Sequence, residues 1–292
     1  MSIKVLISGL LMSLIFGMSF LFTKNALDYV NPFQFLAYRF FISFIFTNFL
    51  ILIKVFKIRK INFIKLLPLA IFQPVLYFIF ENFGVSYLNV SEAGIIISSI
   101  PVFVAIFSPI FLKEKTNKFQ FLFIFCSLIG VILIMGVNSL SGNFKGILLM
   151  FFAVISATAY NMISRKMSLS YTPQETTYIM MSVGALVFNT IFLFSGNFNY
   201  SELFIKPVFI SAIYLGIFSS TLTFFLINYM LSKVTAVQSS IFANITTVVS
   251  VLAGAIFRNE SIKLYHLIGM LFIIAGVTGV NYFSNKIKKQ AL

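Results

Sequence analysis

A chain of 292 residues with 60% hydrophobic and 10% charged side chains is too apolar for a water-soluble domain, which carries about 25% charge. The net charge of +14 could suggest nucleic acid, but its positive residues sit in short loops between apolar spans, with no basic groove or soluble module, so it is read as orienting a membrane protein. A single cysteine, Cys126, excludes an intramolecular disulfide and a Cys-based metal site.

Mean hydropathy is +1.02, and the apolar residues fill whole stretches of about twenty, the length of a helical bilayer crossing. In chain order they predict spans at 3–23, 33–53, 65–87, 92–112, 119–137, 143–164, 175–195, 207–230, 236–257 and 263–284. The first follows Lys4 without a small-residue cleavage pattern and reads as a retained helix, not a signal peptide. Pro32 and Pro173 open the second and seventh. Pro74, Pro101 and Pro109 break the third and fourth, as hinges for gating or as fixed kinks. The expectation is an all-α integral membrane protein, one membrane domain over 1–292, with ten transmembrane helices, multi-pass in the cytoplasmic membrane.

Charge predicts the orientation. With the N-terminus inside, fifteen Lys and Arg fall in inside segments: Lys4, Lys54, Lys57, Arg59, Lys60, Lys65, Lys113, Lys115, Lys118, Arg165, Lys166, Lys233, Lys286, Lys288 and Lys289. Five fall outside, Lys24, Lys145, Lys206, Arg258 and Lys263, and Arg39 lies within a span. This bias puts both termini in the cytoplasm.

Sliding the chain on itself by 146 residues aligns Leu66 to Gly136 without a gap. Leu69, Ile71, Phe72, Leu76, Phe78, Asn82, Ser86, Ile95, Val102, Ile110, Phe111, Glu114, Gly130 and Val131 each meet the same residue type, about twice the chance level for so skewed a composition. Two five-span halves, 1–138 and 143–285, follow. An odd number of spans inserts the second copy upside down, and such inverted repeats place a binding site at their interface.

Several segments resemble the EamA family of the drug/metabolite transporter superfamily. GMSFLFTKNALDYVNPFQFLAYRFF, Gly17 to Phe41, carries Gly17, Phe20, Lys24, Pro32, Arg39 and Phe40 in the family's order, and SEAGIIISSIPVFVAIFSPIFLKEK, Ser91 to Lys115, is similar to its fourth helix, with Pro101 in mid-span and Glu114 at the end. Tyr160, Arg165, Lys166, Pro173, Gly216 and Glu260 resemble the second copy. Thr247 stands where the first half has Pro101, so helix 9 is expected to lack the central kink, and Arg258-Asn259-Glu260 replaces a common Gly-Glu pair. The resemblance implies ten helices, a central cavity lined by helices 1, 3, 4, 6, 8 and 9, helices 5 and 10 as scaffold, and transport of small metabolites, amino acids among them.

An ionisable group inside a span costs at least about 2.5–3.5 kcal/mol, so Glu81 and Arg39 need partners, water or a function. Glu81 faces the cavity and binds a substrate amine or a proton, or it is a structural partner of Arg39 or Lys24; Arg39 itself reads as structural on a peripheral helix 2. Gln73, Tyr77 and Glu81 are spaced by four and share a helix face; their repeat equivalents are Ser219, Thr223 and Ile227. The hydroxyls form a matching cavity wall or bond back to their own helix carbonyls. Asn82 and Asn228, equivalent by the repeat, are expected to hydrogen-bond across helices. Ser98 and its equivalent Asn244, with Tyr160 and Asn161, complete the candidate substrate contacts. Glu114 and Glu260 read as caps of the following helix or partners of Lys, and His266 as interfacial. Ser13/Gly17, Cys126/Gly130, Ser250/Gly254 and Ala275/Gly279 read as close-packing sites or a dimer seat.

One His and one deep carboxylate cannot build a two-histidine metal site or a carboxylate dyad, so an intramembrane enzyme is excluded and no cofactor is expected. A phosphate-binding Gly-Lys-Ser/Thr motif is missing, and a pseudo-twofold chain does not supply the rings of a channel. The expectation is a secondary transporter, monomer or homodimer, that moves a small polar solute by alternating access, outward as the resemblance implies, with Glu81 coupling to protons. A downhill facilitator or uptake permease of the same fold, and a membrane receptor or scaffold, are the alternatives.

Overall fold

The computed structural model describes residues 1–59, 61–114, 117–135, 144–195, 199–259 and 261–290, which are helical with short connections. In chain order the helices are α1 (Ile3–Leu27), α2 (Pro32–Leu52), α3 (Phe63–Tyr87), α4 (Val90–Ile97 and Ile100–Phe111, either side of a turn), α5 (Lys118–Met135), α6 (Phe144–Met167), α7 (Pro173–Phe194), α8 (Lys206–Lys233), α9 (Ala236–Arg258) and α10 (Leu264–Gln290). Among the described residues, seven are long and apolar enough to cross a membrane: α1, α2, α3, α6, α7, α8 and α9. The apolar stretches of α4, α5 and α10 are shorter, at Ile100–Phe111, Lys118–Gly130 and Leu267–Val280. Lys60, Lys115, Glu260 and the join between the halves lie outside the described residues, as does the side chain of His266.

Helix starts follow from local chemistry. The Asn31 side chain accepts from Gln34 N while Pro32 occupies the first turn of α2, where its missing N–H costs nothing. Thr172 and Glu175 cap α7 reciprocally, as Thr235 and Gln238 cap α9. Outward faces carry Leu, Ile and Phe in number, such as Ile106 and Ile110 on α4 and Leu122, Phe125 and Ile129 on α5, a surface suited to lipid rather than water.

Breaks in the helices recur at related positions. α3 and α8 loosen into π-helical stretches, Ile71–Leu76 and Tyr214–Leu222, then resume as regular helix at Tyr77–Tyr87 and Thr223–Lys233; the resumed helices begin at 77 and 223 and end at 87 and 233, a shift of 146. α4 turns at Ser98 and Ser99, so Pro101 lies in the first turn of the segment that follows instead of kinking a continuous mid-span helix. α9 has no central proline, as Thr247 implies, yet it turns at Ile241 and Phe242, where the Phe242 carbonyl accepts from Ile245 N and Thr246 N and, at 2.8 Å, from the Ser13 hydroxyl of α1. α4 and α9 are followed by left-handed residues, Lys113 (φ 56°) and Asn259 (φ 55°).

Packing pairs α5 with α10, α4 with α9 and α2 with α7. α1 contacts α8 and α9, while α6 contacts α3 and α4. Small residues let the backbones approach. A Cβ on Gly17 would lie 2.4 Å from Val249 of α9, and one on Gly130 would lie 2.5 Å from the Gly269 carbonyl of α10. Gly276 and Gly279 press on Ser127 and Phe123 of α5 in the same way. These small residues are thus occupied within the chain.

Candidate functional site

Near the centre of the bundle a cavity of about 60 Å³ is lined by Met12 and Phe16 (α1), Gln73 and Tyr77 (α3), Ile97 and Ile100 (α4), Ala157, Tyr160 and Asn161 (α6), Ile227 (α8), and Ser239, Ser240, Ala243 and Thr246 (α9). These are the six helices that the resemblance implied. The π-helical stretch of α3 carries Gln73 with extended backbone (φ −148°, ψ 115°); π-bulges of this kind are frequent at functional sites. Among the described residues the wall is neutral, combining aromatic faces with amide and hydroxyl groups. A cavity of this size holds a few waters, whereas sites for small molecules run to about 300–1,000 Å³.

Four of the nine expected substrate contacts line the cavity: Gln73, Tyr77, Tyr160 and Asn161. Asn161 Nδ2 donates to the Ala157 carbonyl one turn back at 2.8 Å, and Tyr160 Oη donates to Asn228 at 2.8 Å. The other five point elsewhere, for identifiable reasons. Glu81, one turn beyond Tyr77, is 2% exposed and its carboxylate accepts from the Asn82 amide. Ser219 is turned to Arg39, whose Nη2 donates to it at 3.1 Å. Thr223 is buried beside the π-helical stretch of α8, its hydroxyl without a hydrogen-bond partner. Ser98 is buried in the α4 turn, which presents Ile97 and Ile100 to the cavity instead. Asn244 donates to Ser127 of α5, leaving its neighbours Ala243 and Thr246 on the cavity side.

Behind the α3 wall lies Arg39, fully buried. Its Nε donates to Ser220 Oγ at 2.9 Å, and its guanidinium sits 4.0 Å over the Phe78 ring, a cation–π contact made stronger by desolvation. Nη1 has no hydrogen-bond partner. Arg39 interacts electrostatically with Tyr77 and Glu81, but no ion pair within 4.0 Å joins Arg39 to Glu81 among the described residues. α2 lines no part of the cavity and turns Phe41, Ile45 and Phe49 outward, while its inner side packs on the π-helical stretch of α8, which supplies hydroxyls to the guanidinium and to Ser43 and Thr47 below it. Asn228 bonds across helices, accepting from Tyr160 and Ser164 of α6 and donating to Thr177 of α7. Asn82 differs from its expected role; it donates to Glu81 on its own helix, because the buried carboxylate is the nearer acceptor.

Sequence reasoning missed Ser239, Ser240 and Thr246. A serine on a helix gives no signal of its own, since it can bond its own backbone, as Ser240 does with the Val237 carbonyl. It also missed the ends of the bundle. Glu114 accepts from Arg165 Nε at 2.7 Å and from Ala236 N at 2.9 Å, so it caps α9 and not the following helix, since the turn at Lys113 carries it away from α5. At the opposite ends of these helices Arg258 bonds Asn25 and Asp28, the latter at 2.9 Å. Lys24 Nζ donates to the carbonyls of Val85, Ser86 and Leu88.

Apolar helices gathered around a small chamber of mixed apolar and polar wall define a multi-pass membrane protein. The chain belongs to the EamA-like transporter family, which matches residues 3–136 and again 144–282, and with it to the drug/metabolite transporter superfamily. It is 41% identical to the "Uncharacterized transporter YcxC" of Bacillus subtilis (strain 168), over 97% of this chain and 95% of that one. It is 28% identical to an "Uncharacterized transporter" of Archaeoglobus fulgidus, over 89% and 92% of the two chains. A solved structure described as "Crystal structure of protein" shares the fold, with a TM-score of 0.78 at 15% identity over 98% of this chain and 99% of that one. The protein is therefore a membrane transporter of a small molecule.

Proposed function

We propose that this transporter carries a small, net-neutral polar metabolite, an amino acid or related compound, out of the cell through the cytoplasmic membrane by alternating access. Its ten helices all cross the bilayer, in two inverted halves with both termini in the cytoplasm. The observation that carries the reading is the cavity, walled by α1, α3 and α4 of one half and by α6, α8 and α9 of the other. The double family match, the resumption of α3 and α8 at positions 146 apart, and the mutual pairing of α2 with α7, α4 with α9 and α5 with α10 support the repeat. Basic residues on the loops support the orientation. A neutral wall favours a solute whose charges cancel, because an ion there would be desolvated without a counter-charge. Gln73 and Asn161 supply amide groups, and Tyr77 and Tyr160 supply aromatic faces.

Glu81 is the coupling group in this reading: a carboxylate 2% exposed, within electrostatic reach of Arg39 and Tyr77. The test is counterflow in proteoliposomes. Vesicles preloaded with a candidate solute are expected to accumulate labelled solute transiently, and Gln73→Ala is expected to lower the rate by about tenfold, the loss of one to two hydrogen bonds. No counterflow with any amino acid, amine or nucleoside would remove the reading. Imposed pH gradients decide the coupling. A facilitator equilibrates the solute and never concentrates it, whereas the coupled transporter concentrates it.

A further inference from the structure

Both salt bridges found among the described residues join one half of the chain to the other, and they lie at opposite ends of the bundle. Glu114, just past α4, meets Arg165 in the last turn of α6. Arg258, at the end of α9, meets Asp28, just past α1. α4 and α9 correspond through the repeat, and so do α1 and α6, so the two ties join corresponding pairs of helix ends, though through residues that are not themselves repeat equivalents. Backbone corners are held with them. Arg165 Nη1 donates to the Leu231 carbonyl and Lys24 Nζ to the Val85 carbonyl. These two carbonyls are 146 positions apart, just before the α8–α9 and α3–α4 corners.

We infer that the Glu114–Arg165 and Arg258–Asp28 ties are the two gate latches, one on each face of the membrane, and that this structure has both fastened around the contracted cavity. The inference rests on the alternating-access reading above. Opening one face requires the end of α4, with the start of α9 that Glu114 caps, to leave α6, and opening the other requires the end of α9 to leave the end of α1. The latches are unequal. At the Glu114 end the side chains are 25% and 15% exposed and the carboxylate also caps Ala236 N, whereas at the Arg258 end they are 28% and 48% exposed. Exposed pairs are screened and weak, so the Arg258 end is the one that opens first. The left-handed backbone at Lys113 precedes Glu114, a conformation that a residue with a Cβ adopts only at a cost.

The experiment uses full-length protein with Cys126→Ser and a reporter cysteine, Thr246→Cys, in the cavity wall, labelled by an impermeant maleimide in vesicles of each orientation. Arg165→Gln is expected to raise labelling from the Glu114 face by about tenfold, the loss of a charge-assisted hydrogen bond. Arg258→Gln is expected to raise it from the opposite face by about two- to fivefold, the worth of an exposed pair. Arg165→Lys, which keeps the charge, should restore most of the protection, and Glu114→Gln cuts the same tie should Arg165→Gln fail to fold. Labelling raised from one common face, or unchanged in every variant while the wild type is reached slowly from both faces, overturns the latch assignment and leaves alternating access standing. A cysteine reached from a single face in the wild type and in all variants overturns alternating access itself.

Discussion

At the scale of the residue, the buried charges dominate. Arg39 is fully buried and its hydrogen-bond partners are two serine hydroxyls, so removing it leaves Ser219 and Ser220 short of a donor and takes a nearby positive charge from Glu81. Arg39→Met is expected to destabilise the purified protein by about 1–3 kcal/mol, the cost of leaving buried polar groups unsatisfied. Adding Glu81→Gln should recover part of the loss, and thermal unfolding in detergent of the two single variants and the double variant checks the coupling. Asn228→Ala takes the acceptor from Tyr160 and Ser164 and a donor from Thr177, which keeps its own bond to the Pro173 carbonyl. At about 0.6 kcal/mol per interhelical bond, a loss of about 1–2 kcal/mol is expected in the same measurement, with slower counterflow because Tyr160 lines the cavity. Glu81→Gln alone should abolish the pH dependence of transport and leave exchange intact; unchanged pH dependence in vesicles rejects the coupling role. Arg39 and Glu81 were legible in the sequence as charges inside apolar spans. Their surroundings were not, since Ser219 and Ser220 are about 180 positions away from Arg39 and helical spacing carries no information across that distance.

At the scale of the element, the sequence announced where helices begin, through Pro32, Pro173 and the capping residues, and where α3 weakens, through Pro74. It did not announce the break in α9, because no proline or glycine marks Ile241 and Phe242. The four-residue spacing of Gln73, Tyr77 and Glu81 assumed one unbroken helix, and the π-helical stretch at Ile71–Leu76 disturbs that geometry at its first member. Glycines decide how near the elements come. Gly276→Leu should push α10 off α5, since even a Cβ there falls 2.6 Å from the Phe123 carbonyl; overpacking costs about 1–3 kcal/mol, and a lowered unfolding temperature with transport retained at low temperature is the expected result. Gly17→Leu presses on Val249 and on the Thr246 carbonyl beside the cavity and is expected to stop counterflow at every temperature.

At the scale of the whole molecule, the apolar stretches made the all-helical architecture legible, because lipid forces each apolar span into the same solution. The orientation is testable directly. Single cysteines at Lys57 and at Ser201, on loops at opposite ends of α2 and α7, should react with an impermeant reagent from opposite faces of the membrane, Ser201 in intact cells and Lys57 after permeabilisation. The size of the central chamber has a further meaning at this scale. A space of about 60 Å³ admits a few waters and falls well short of the about 300–1,000 Å³ of a small-molecule site. Seating a solute there therefore requires the surrounding helices to move apart, so that loading and helix movement are one event.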